Sequence, residues 1–415
     1  MSFFGVPLSG LIAAQDALQS VSNNLANLDT VGYKDQTTSF SDIFAQSSAT
    51  NGEGDPIESG LGTEASSTTS DFSDGTTTET DVPSNMALSG DGFFVTESTA
   101  GTVSYTRAGD FTTNSSGEIV TTGGDTVMGY PATNGVVDST AALQPLTVNL
   151  GSAISATPTS EFTVPSNLDS AATTGTTFTS TAKVYDSLGS PITVSVDYTK
   201  TASNTWSYSV DVPNTVTGAT PSTGTTSIAS GTMSFDSSGN LTSPTGSVAL
   251  SIPTLADGAA SLSMNWDLSN TSGAATITQT DQTSTNGTST QDGYAAGTLS
   301  SYSISSNGTI EGVYSNGVTS ALGQVAVATF GNEQGLSQAG TSTFTETAAS
   351  GVANVGVAGT GGRATIAGGY TESSNVDVAS EFSKMIVAQE AYQANAKTVT
   401  TLDTIAQDTV AMLSN

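Results

Sequence analysis

Side chains that could carry out chemistry are scarce in this 415-residue sequence, and two of the most versatile types are missing. There is no cysteine, so the chain can form neither disulfides nor thiolate metal sites. There is no histidine, the commonest general base and metal ligand in proteins. Serine, lysine and carboxylates remain, but their spacing predicts no catalytic arrangement, no cofactor and no metal site. We therefore expect a protein that is not an enzyme.

Carboxylates dominate the charge, with 37 Asp and Glu against 7 Lys and Arg and a formal net charge of −30. Phosphate backbones require clustered cations, so nucleic acid is excluded as a partner. Neither the EF-hand loop nor the G-G-x-G-x-D repeat occurs, so the acidity predicts a solvated surface rather than a calcium site. The rare cations Arg107 and Arg363 are predicted to form salt bridges within or between chains.

No run of 18 apolar residues is present, so we expect no membrane insertion. The first residues also lack the basic and apolar regions of a cleavable signal peptide.

Apolar residues that recur every seven positions mark both ends of the chain. The series are Leu11, Leu18, Leu25 and Ala14, Val21, Leu28 near the N-terminus, and Val378, Met385, Tyr392, Val399, Ala406, Leu413 near the C-terminus, where Phe382, Leu402, Ile405 and Met412 widen the stripe. This is the seam of a coiled coil, and it predicts helices over about 8–26 and 376–413. Asn375 and Asp377 are suited to cap the second helix.

Ordinary amphipathic helices packed on their own domains would show the same stripes. Because the two seams flank a β-like interior, we predict instead that they pair with each other and with neighbouring copies.

The interior alternates short apolar runs with turns, which predicts a mostly β multidomain fold with terminal α-helices forming a coiled-coil-like inner domain. The predicted domains are nested by insertion, as chain ends that lie close together allow. They are an N-terminal helix at 1–30 that pairs with a C-terminal segment and helix at 366–415, an extended connector with limited regular structure at 31–82, an inner β domain at 83–145 plus 285–365, and an outer β domain at 146–284 inserted into it.

Motifs along the chain resemble those of bacterial flagellar axial proteins. They are SGLIAA at 9–14, VSNNLAN at 21–27, TVGYK at 30–34, LSGDGFF at 88–94, YTRAGDF at 105–111, ESSNVD at 372–377, MIVAQ at 385–389 and YQANAK at 392–397. Rod subunits of this family are generally shorter, and KVYDSLG at 183–189 and LGQVAVATFGN at 322–332 are similar to hook proteins. Glu390 departs from the pattern, which commonly has a basic residue there.

The resemblance implies a structural subunit that self-assembles into a flexible tubular polymer, a universal joint that transmits motor torque from rod to filament. The partners it implies are copies of the chain itself, the distal rod, the hook cap, the hook–filament junction proteins and the flagellar type III export apparatus. The location it implies is the extracellular hook, reached without a cleaved signal peptide. The alternatives are a distal rod or other axial component, and a secreted acidic β-rich adhesin.

The residues expected at a subunit-assembly interface lie on the two terminal helices. They are Leu11, Leu18, Val21, Asn23, Asn24, Leu25, Asn27, Val378, Phe382, Met385, Gln389, Tyr392, Asn395, Val399 and Leu402.

Overall fold

The structure is a computed structural model that describes residues 4–43, 46–50, 56–270, 272–340 and 342–413. The chain divides into two compact units. Unit 1 comprises Met1–Asn149, Tyr302–Gly312 and Ser320–Asn415, and unit 2 comprises Leu150–Ser301 and Val313–Thr319. The predicted fold class, a mostly β multidomain protein with terminal helices, is confirmed. The finer division into connector, inner and outer domains stays a prediction.

Three α-helices and one short 3₁₀-helix occur in the described residues: α1 is Gly5–Ala26, α2 is Asn214–Thr217, α3 is Val378–Leu413, and the 3₁₀-helix is Glu333–Gly335. The two long helices occupy the stretches that the heptads predicted. Asp377 caps α3 as expected, because its Oδ1 accepts hydrogen bonds from the backbone N–H groups of Ala379 (2.8 Å) and Ser380 (3.3 Å). Asn375 has another role: its Oδ1 accepts from the backbone N of Asp35 at 2.7 Å.

The β-strands are short and numerous. In the N-terminal part of unit 1 they are β1 Gln36–Asp42, β2 Gln46–Thr50, β3 Pro56–Ser59, β4 Thr63–Ser70, β5 Thr77–Glu79, β6 Met86–Ser89, β7 Phe93–Glu97, β8 Val103–Thr106, β9 Thr112–Thr113, β10 Ile119–Val120, β11 Thr126–Thr133, β12 Val136–Val137 and β13 Gln144–Pro145. The next are β14 Ala153–Ile154, β15 Glu161–Thr163, β16 Ser166–Asp169, β17 Thr177–Tyr185, β18 Pro191–Ala202, β19 Thr205–Pro213, β20 Thr225–Phe235, β21 Leu241–Ser243, β22 Ser247–Ile252, β23 Leu262–Asp267, β24 Ile277–Thr280, β25 Thr285–Asn286, β26 Thr290–Gln291, β27 Gly297–Ile304 and β28 Thr309–Tyr314. The last are β29 Thr319–Thr329, β30 Ser337–Gly340, β31 Thr343–Thr345, β32 Asn354–Val357, β33 Thr365–Gly368 and β34 Tyr370–Glu372.

The core of unit 1 is built on an antiparallel sheet in the order β29-β11-β7-β8-β31-β30. One face buries an aromatic cluster in which Phe93 packs edge-on against Phe72, Phe330 and Phe344 at centroid distances of 5.5–5.8 Å. Such edge-to-face pairs add stability beyond the area they bury. The strands β6 and β33 pair antiparallel, as do β5 and β34, so strand pairing joins residues 77–89 to residues 365–372.

Residues 31–82 do not fit the prediction of limited regular structure, which is wrong for the part described. The strands β1 and β4 pair antiparallel from Gln36↔Ser70 to Asp42↔Thr63. Nearly all side chains of β4 are exposed, so the strand lacks the alternation of apolar and polar residues from which a strand is predicted. Backbone pairing and the β-branched threonines stabilise this hairpin instead.

Unit 2 has its own core between a five-stranded antiparallel sheet, β17-β18-β19-β20-β21, and two smaller sheets, β22-β23-β15-β26 and β24-β16-β25. Burial alternates residue by residue along β18 and β19, as expected for strands with one face on the core. Both tryptophans of the sequence, Trp206 and Trp266, are fully buried there.

Candidate assembly interface

The helices α1 and α3 pack against each other within unit 1 and run antiparallel. Asn24, near the end of α1, contacts Glu381 near the start of α3, with Asn24 Nδ2 donating to Glu381 Oε2 at 3.0 Å. Gly10 lies against Asn395, so closely that an added Cβ would lie 2.9 Å from the Asn395 side chain. At 1.5 Å per residue, the 22 residues of α1 span about 33 Å and the 36 residues of α3 about 54 Å. The last turns of α3 therefore extend beyond the start of α1.

Small residues occupy the seam between the two helices. Ala13, Ala14 and Val21 of α1 are buried, and so is Ala388 of α3. Leu11, Leu18 and Leu25, which the heptads placed in the seam, are only half-buried. The helix axes approach closely because the seam side chains are short, and this closeness moves the leucines to its edges.

Large apolar side chains remain open to solvent on both helices. The exposed apolar set, each member more than half exposed, comprises Val6, Leu8 and Ile12 on α1 and Phe382, Ile386, Val387, Ile405, Val410 and Met412 on α3. Scattered apolar residues are normal on protein surfaces, but a concentration on two packed helices marks an interaction surface. This set is the candidate assembly interface.

The structure distributes the fifteen sequence-predicted interface residues over three environments. Half-buried are Leu11, Leu18, Leu25, Asn27, Met385, Asn395, Val399 and Leu402; exposed are Asn23, Val378, Phe382, Gln389 and Tyr392; buried are Val21 and Asn24. The two buried residues make their contacts inside the chain. The role of the others between subunits stays a prediction.

Sequence reasoning missed six members of the exposed apolar set that lie outside the heptad series: Val6, Leu8, Ile12, Ile386, Val387 and Val410. The spacing of four from Phe382 to Ile386 is a helical signal that could have identified Ile386.

A buried polar network joins the base of the helix pair to the segment that follows α1. Asn24 is 1% exposed, and its Nδ2 also donates to the backbone O of Gln36 at 2.9 Å. Its Oδ1 accepts from the Tyr33 hydroxyl at 3.1 Å and from the backbone N of Gln36 at 3.0 Å. Asn24 Nδ2 also contacts the Asp35 carboxylate. Burial raises the pKa of Tyr33 to about 12, and the charges of Asp35 and Glu381 act in the same direction.

Lys384 completes this network from α3. Its Nζ lies 2.5 Å from Glu381 Oε1 and 3.7 Å from Asp35 Oδ2. These carboxylates raise the pKa of Lys384, chiefly through the hydrogen bond with Glu381. Burial raises the pKa of Asp35 in spite of the opposing Lys384 charge.

A second polar cluster, the buried ion cluster, is formed by Lys34, Asp74, Arg107 and Glu372. Lys34 Nζ lies 2.7 Å from Glu372 Oε1, and Arg107 Nη1 lies 3.0 Å from Asp74 Oδ1 and 3.7 Å from Glu372 Oε2. Lys34, Arg107 and Glu372 are at most 3% exposed. Burial lowers the pKa of Lys34, while Glu372 opposes that shift. The cluster connects four distant segments of unit 1 beside the helix pair.

The salt bridge predicted for Arg107 is thus confirmed within the chain. Arg363 instead donates hydrogen bonds to Asn354 and Thr360.

Comparison with known proteins identifies the family that has this architecture. Family models match along the chain: flagella basal body rod protein at 6–34, flagellar hook protein FlgE/F/G D1 domain at 87–176, flagellar basal body protein FlaE D2 domain at 149–294, and flagellar basal body rod FlgEFG protein C-terminal at 367–412. The flagellar hook protein FlgE of Escherichia coli K12 is 35% identical, over 97% of this chain and 98% of the relative. The chain belongs to the flagellar hook protein family.

Other hook proteins agree over similar lengths. Hook proteins FlgE of Salmonella typhimurium and Treponema pallidum are each 34% identical, over 97% and 99% of this chain and 98% of either relative. The crystal structure of Helicobacter pylori flagellar hook protein FlgE2 aligns with a TM-score of 0.56 at 15% identity, over 71% of this chain and 100% of that chain, and so supports the fold alone.

The predicted function, a structural subunit of the flagellar hook, is confirmed by these relatives, and neither a rod component nor an adhesin is favoured. Membership of the hook family also supports self-assembly within the flagellum. In the described part of the chain, no helix has the length and hydropathy needed to cross a membrane.

Proposed function

We propose that copies of this hook subunit polymerise by burying the exposed apolar set of α1 and α3 against neighbouring copies. The observation that carries the proposal is the exposure of these side chains, from 51% for Leu8 to 80% for Met412. Full burial of one large apolar side chain is worth roughly 1.5–3 kcal/mol, so several partly exposed ones supply enough free energy to order a polymer. The half-buried seam residues Leu11, Leu18 and Leu25 would extend the contact.

The overhang of α3 beyond the start of α1 gives each copy a ready contact element. Ile405, Val410 and Met412 lie on this overhang, where α1 does not reach them. A neighbouring copy would cover them and so continue the inner wall of a tube. An isolated overhang holds little helix by itself, which couples its order to assembly.

Unit 2 would supply the flexible outer contacts that a universal joint requires. Its sequence is rich in Ser, Thr and Asn, and most of its large apolar residues are buried in its own core, with Leu150 and Leu188 exposed. Contacts between such polar surfaces are wet and individually weak, so neighbouring copies can slide while the inner tube transmits torque. The distal rod, hook cap, junction proteins and export apparatus complete the proposed partners, and export without a cleaved signal peptide is the proposed route.

The test uses electron microscopy of basal bodies from cells that lack this protein, complemented with variants. Complete rods without hooks are expected in the deletion strain and with Phe382→Asp/Ile386→Asp, since a buried charge disfavours assembly. The matched control, Gln393→Asp on an exposed polar position of α3, should restore hooks of normal length. Normal hooks with the double variant would refute the proposed surface, and rods that stop short in the deletion strain would assign the protein to the rod.

A further inference from the structure

Asn-Gly pairs in this sequence have the groups needed for a reaction of the chain with its own backbone. Because glycine has no Cβ, its backbone N can approach the Cγ atom of the preceding Asn side chain without a clash. The structure describes four of these pairs, while the first lies outside the described residues. The pairs are Asn51-Gly52, Asn134-Gly135, Asn286-Gly287, Asn307-Gly308 and Asn316-Gly317.

The glycine N–H groups of the last three pairs are already engaged in hydrogen bonds. The nitrogen of such a group must give up its hydrogen bond before it can attack Cγ. Each of the three donates to a backbone oxygen, Gly287 to Pro165 (2.7 Å), Gly308 to Ser305 (2.8 Å) and Gly317 to Tyr314 (2.9 Å).

The Asn side chains of the same three pairs are also held in place. Asn316 Nδ2 donates to the backbone O of Ala295 at 2.6 Å, and Asn316 Oδ1 accepts from the backbone N of Val318 at 3.1 Å. These bonds must break before Cγ can turn toward the glycine nitrogen. The other two side chains are held by Ser305 Oγ and the backbone N of Thr309, which donate to Asn307 Oδ1, and by the backbone O of Thr179, which accepts from Asn286 Nδ2.

The pair Asn134-Gly135 has none of these restraints. It forms the two-residue turn between β11 and β12, where Thr133 pairs with Val136. Its φ angles of 51° and 77° are positive, as the type I′ turn of such a hairpin requires. Among the described residues, neither the Asn134 side chain nor the Gly135 N–H has a hydrogen-bond partner.

Solvent exposure does not separate this pair from the others. Asn134 is exposed, but so are Asn286 and Asn307. Hydrogen bonding of the two reacting groups is therefore the property that distinguishes Asn134-Gly135.

We propose that Asn134 is a site of spontaneous deamidation through a cyclic imide with Gly135, with water as the co-reactant. The Gly135 nitrogen attacks Asn134 Cγ, so that the N–Cγ bond forms and the Cγ–Nδ2 bond breaks. Ammonia leaves with the proton of the Gly135 N–H. Water then opens the imide at one of its two carbonyl groups, which gives aspartate or isoaspartate.

Either product changes the turn. Each adds a negative charge to a chain whose formal net charge is already −30. Isoaspartate also routes the backbone through Cβ and Cγ, which lengthens the loop between Thr133 and Val136 and no longer fits the two-residue turn that sets their pairing. The proposal concerns covalent chemistry within one copy and is independent of the function proposed above.

Peptide mapping by mass spectrometry of the purified full-length chain tests the proposal. The pair Asn316-Gly317 is the matched control, because Gly and Val follow its Asn as they follow Asn134. In mildly alkaline buffer, deamidation at Asn134 should be at least about tenfold faster than at Asn316, which must first break three hydrogen bonds. The variant Asn134→Asp supplies the aspartate peptide as a standard, so that the isoaspartate peptide is recognised as a second species of equal mass.

The same incubation in concentrated urea separates the effect of the fold from that of the local sequence. Unfolding removes the hydrogen bonds of the control pair, so the rate at Asn316 should rise by about tenfold or more and approach the rate at Asn134. The rate at Asn134 should change far less. A folded-state rate at Asn134 no higher than that at Asn316 would overturn the proposal. So would a rate at Asn134 that rises in urea as much as the rate at Asn316, because the turn would then protect Asn134 as well.

Discussion

Replacing Lys34 with methionine should destabilise unit 1 and leave unit 2 unchanged. Lys34 Nζ lies 2.7 Å from Glu372, which is fully buried, and it also donates to the backbone O of Ser73 at 2.6 Å. Methionine fills similar volume but leaves Glu372 with Arg107 at 3.7 Å as its remaining cation. Removing one partner of a buried ion pair costs about 3–5 kcal/mol, because the remaining charge stays desolvated.

The two units can be followed separately in one urea titration. Both tryptophans, Trp206 and Trp266, lie in unit 2, so their fluorescence reports that unit. The long helices α1 and α3 lie in unit 1, so helical circular dichroism reports the other. The free energy of unfolding falls by up to about 3 kcal/mol per molar urea, so losing about 3–5 kcal/mol should lower the circular dichroism midpoint by roughly 1 M or more. The fluorescence midpoint should stay in place.

Two further variants make this prediction refutable. Lys397→Met removes an exposed cation from α3 and should leave both midpoints within about 0.5 kcal/mol of wild type. Lys34→Met/Glu372→Gln should recover part of the loss, because it removes the uncompensated carboxylate. A circular dichroism midpoint that does not move in Lys34→Met would show that the ion cluster contributes no net stability. Equal shifts of both signals would show that the units do not unfold separately.

Two other predictions concern pH and salt. Because the folded-state pKa of Tyr33 is raised from 10.0 to about 12, its contribution to stability is present below 10 and lost as pH rises toward 12. Between pH 10 and 12, the stability of unit 1 should therefore fall less in Tyr33→Phe than in wild type, as followed by helical circular dichroism. An equal fall in both proteins would contradict the raised pKa of Tyr33. Purified polymers should shorten as salt falls from about 1 M to about 10 mM, because copies of net charge −30 repel less when screened. Polymer length that stays constant in electron micrographs across this titration would refute that reasoning.

Several of the few cations in this protein make their contacts inside the chain. Lys34, Arg107 and Lys384 form the ion pairs found in the described residues, and Lys200 is buried with its Nζ against backbone oxygens and the Trp206 ring. Few protein cations therefore remain to bridge carboxylates on neighbouring copies. Counterions from solution must do so instead.

Features that depend on neighbouring residues in the chain were predicted from the sequence. The heptads placed α1 and α3 because a helix brings positions three and four apart onto one face, whatever lies around it. Asp377 was predicted as a cap because its side chain needs only the next backbone N–H groups, which follow in sequence. The mostly β interior followed from alternation, which strand geometry imposes locally. The resemblance to flagellar axial proteins likewise rested on contiguous motifs.

Features that depend on distant residues needed the tertiary structure. The hairpin of β1 and β4 is stabilised by backbone pairing between exposed threonine-rich strands, so its sequence lacks an apolar period. Asn24 was expected to face other subunits, but it is buried against Glu381, a residue 357 positions away. Lys34 and Glu372 were visible only as members of separate motifs, and the salt bridge predicted for Arg107 had no predicted partner.

The difference between the features that the sequence predicted and those that needed the tertiary structure has a physical cause. Periodicity and capping are determined by backbone geometry over a few residues, so the sequence by itself determined where the terminal helices lie and that the interior is β. Which side chains share a buried site depends on how remote segments pack, and burial changes what a charge or amide costs by several kcal/mol. Only the tertiary structure therefore decided that the seam is made of alanines, that the large apolar residues remain exposed, and that Asn24 joins α1 to α3.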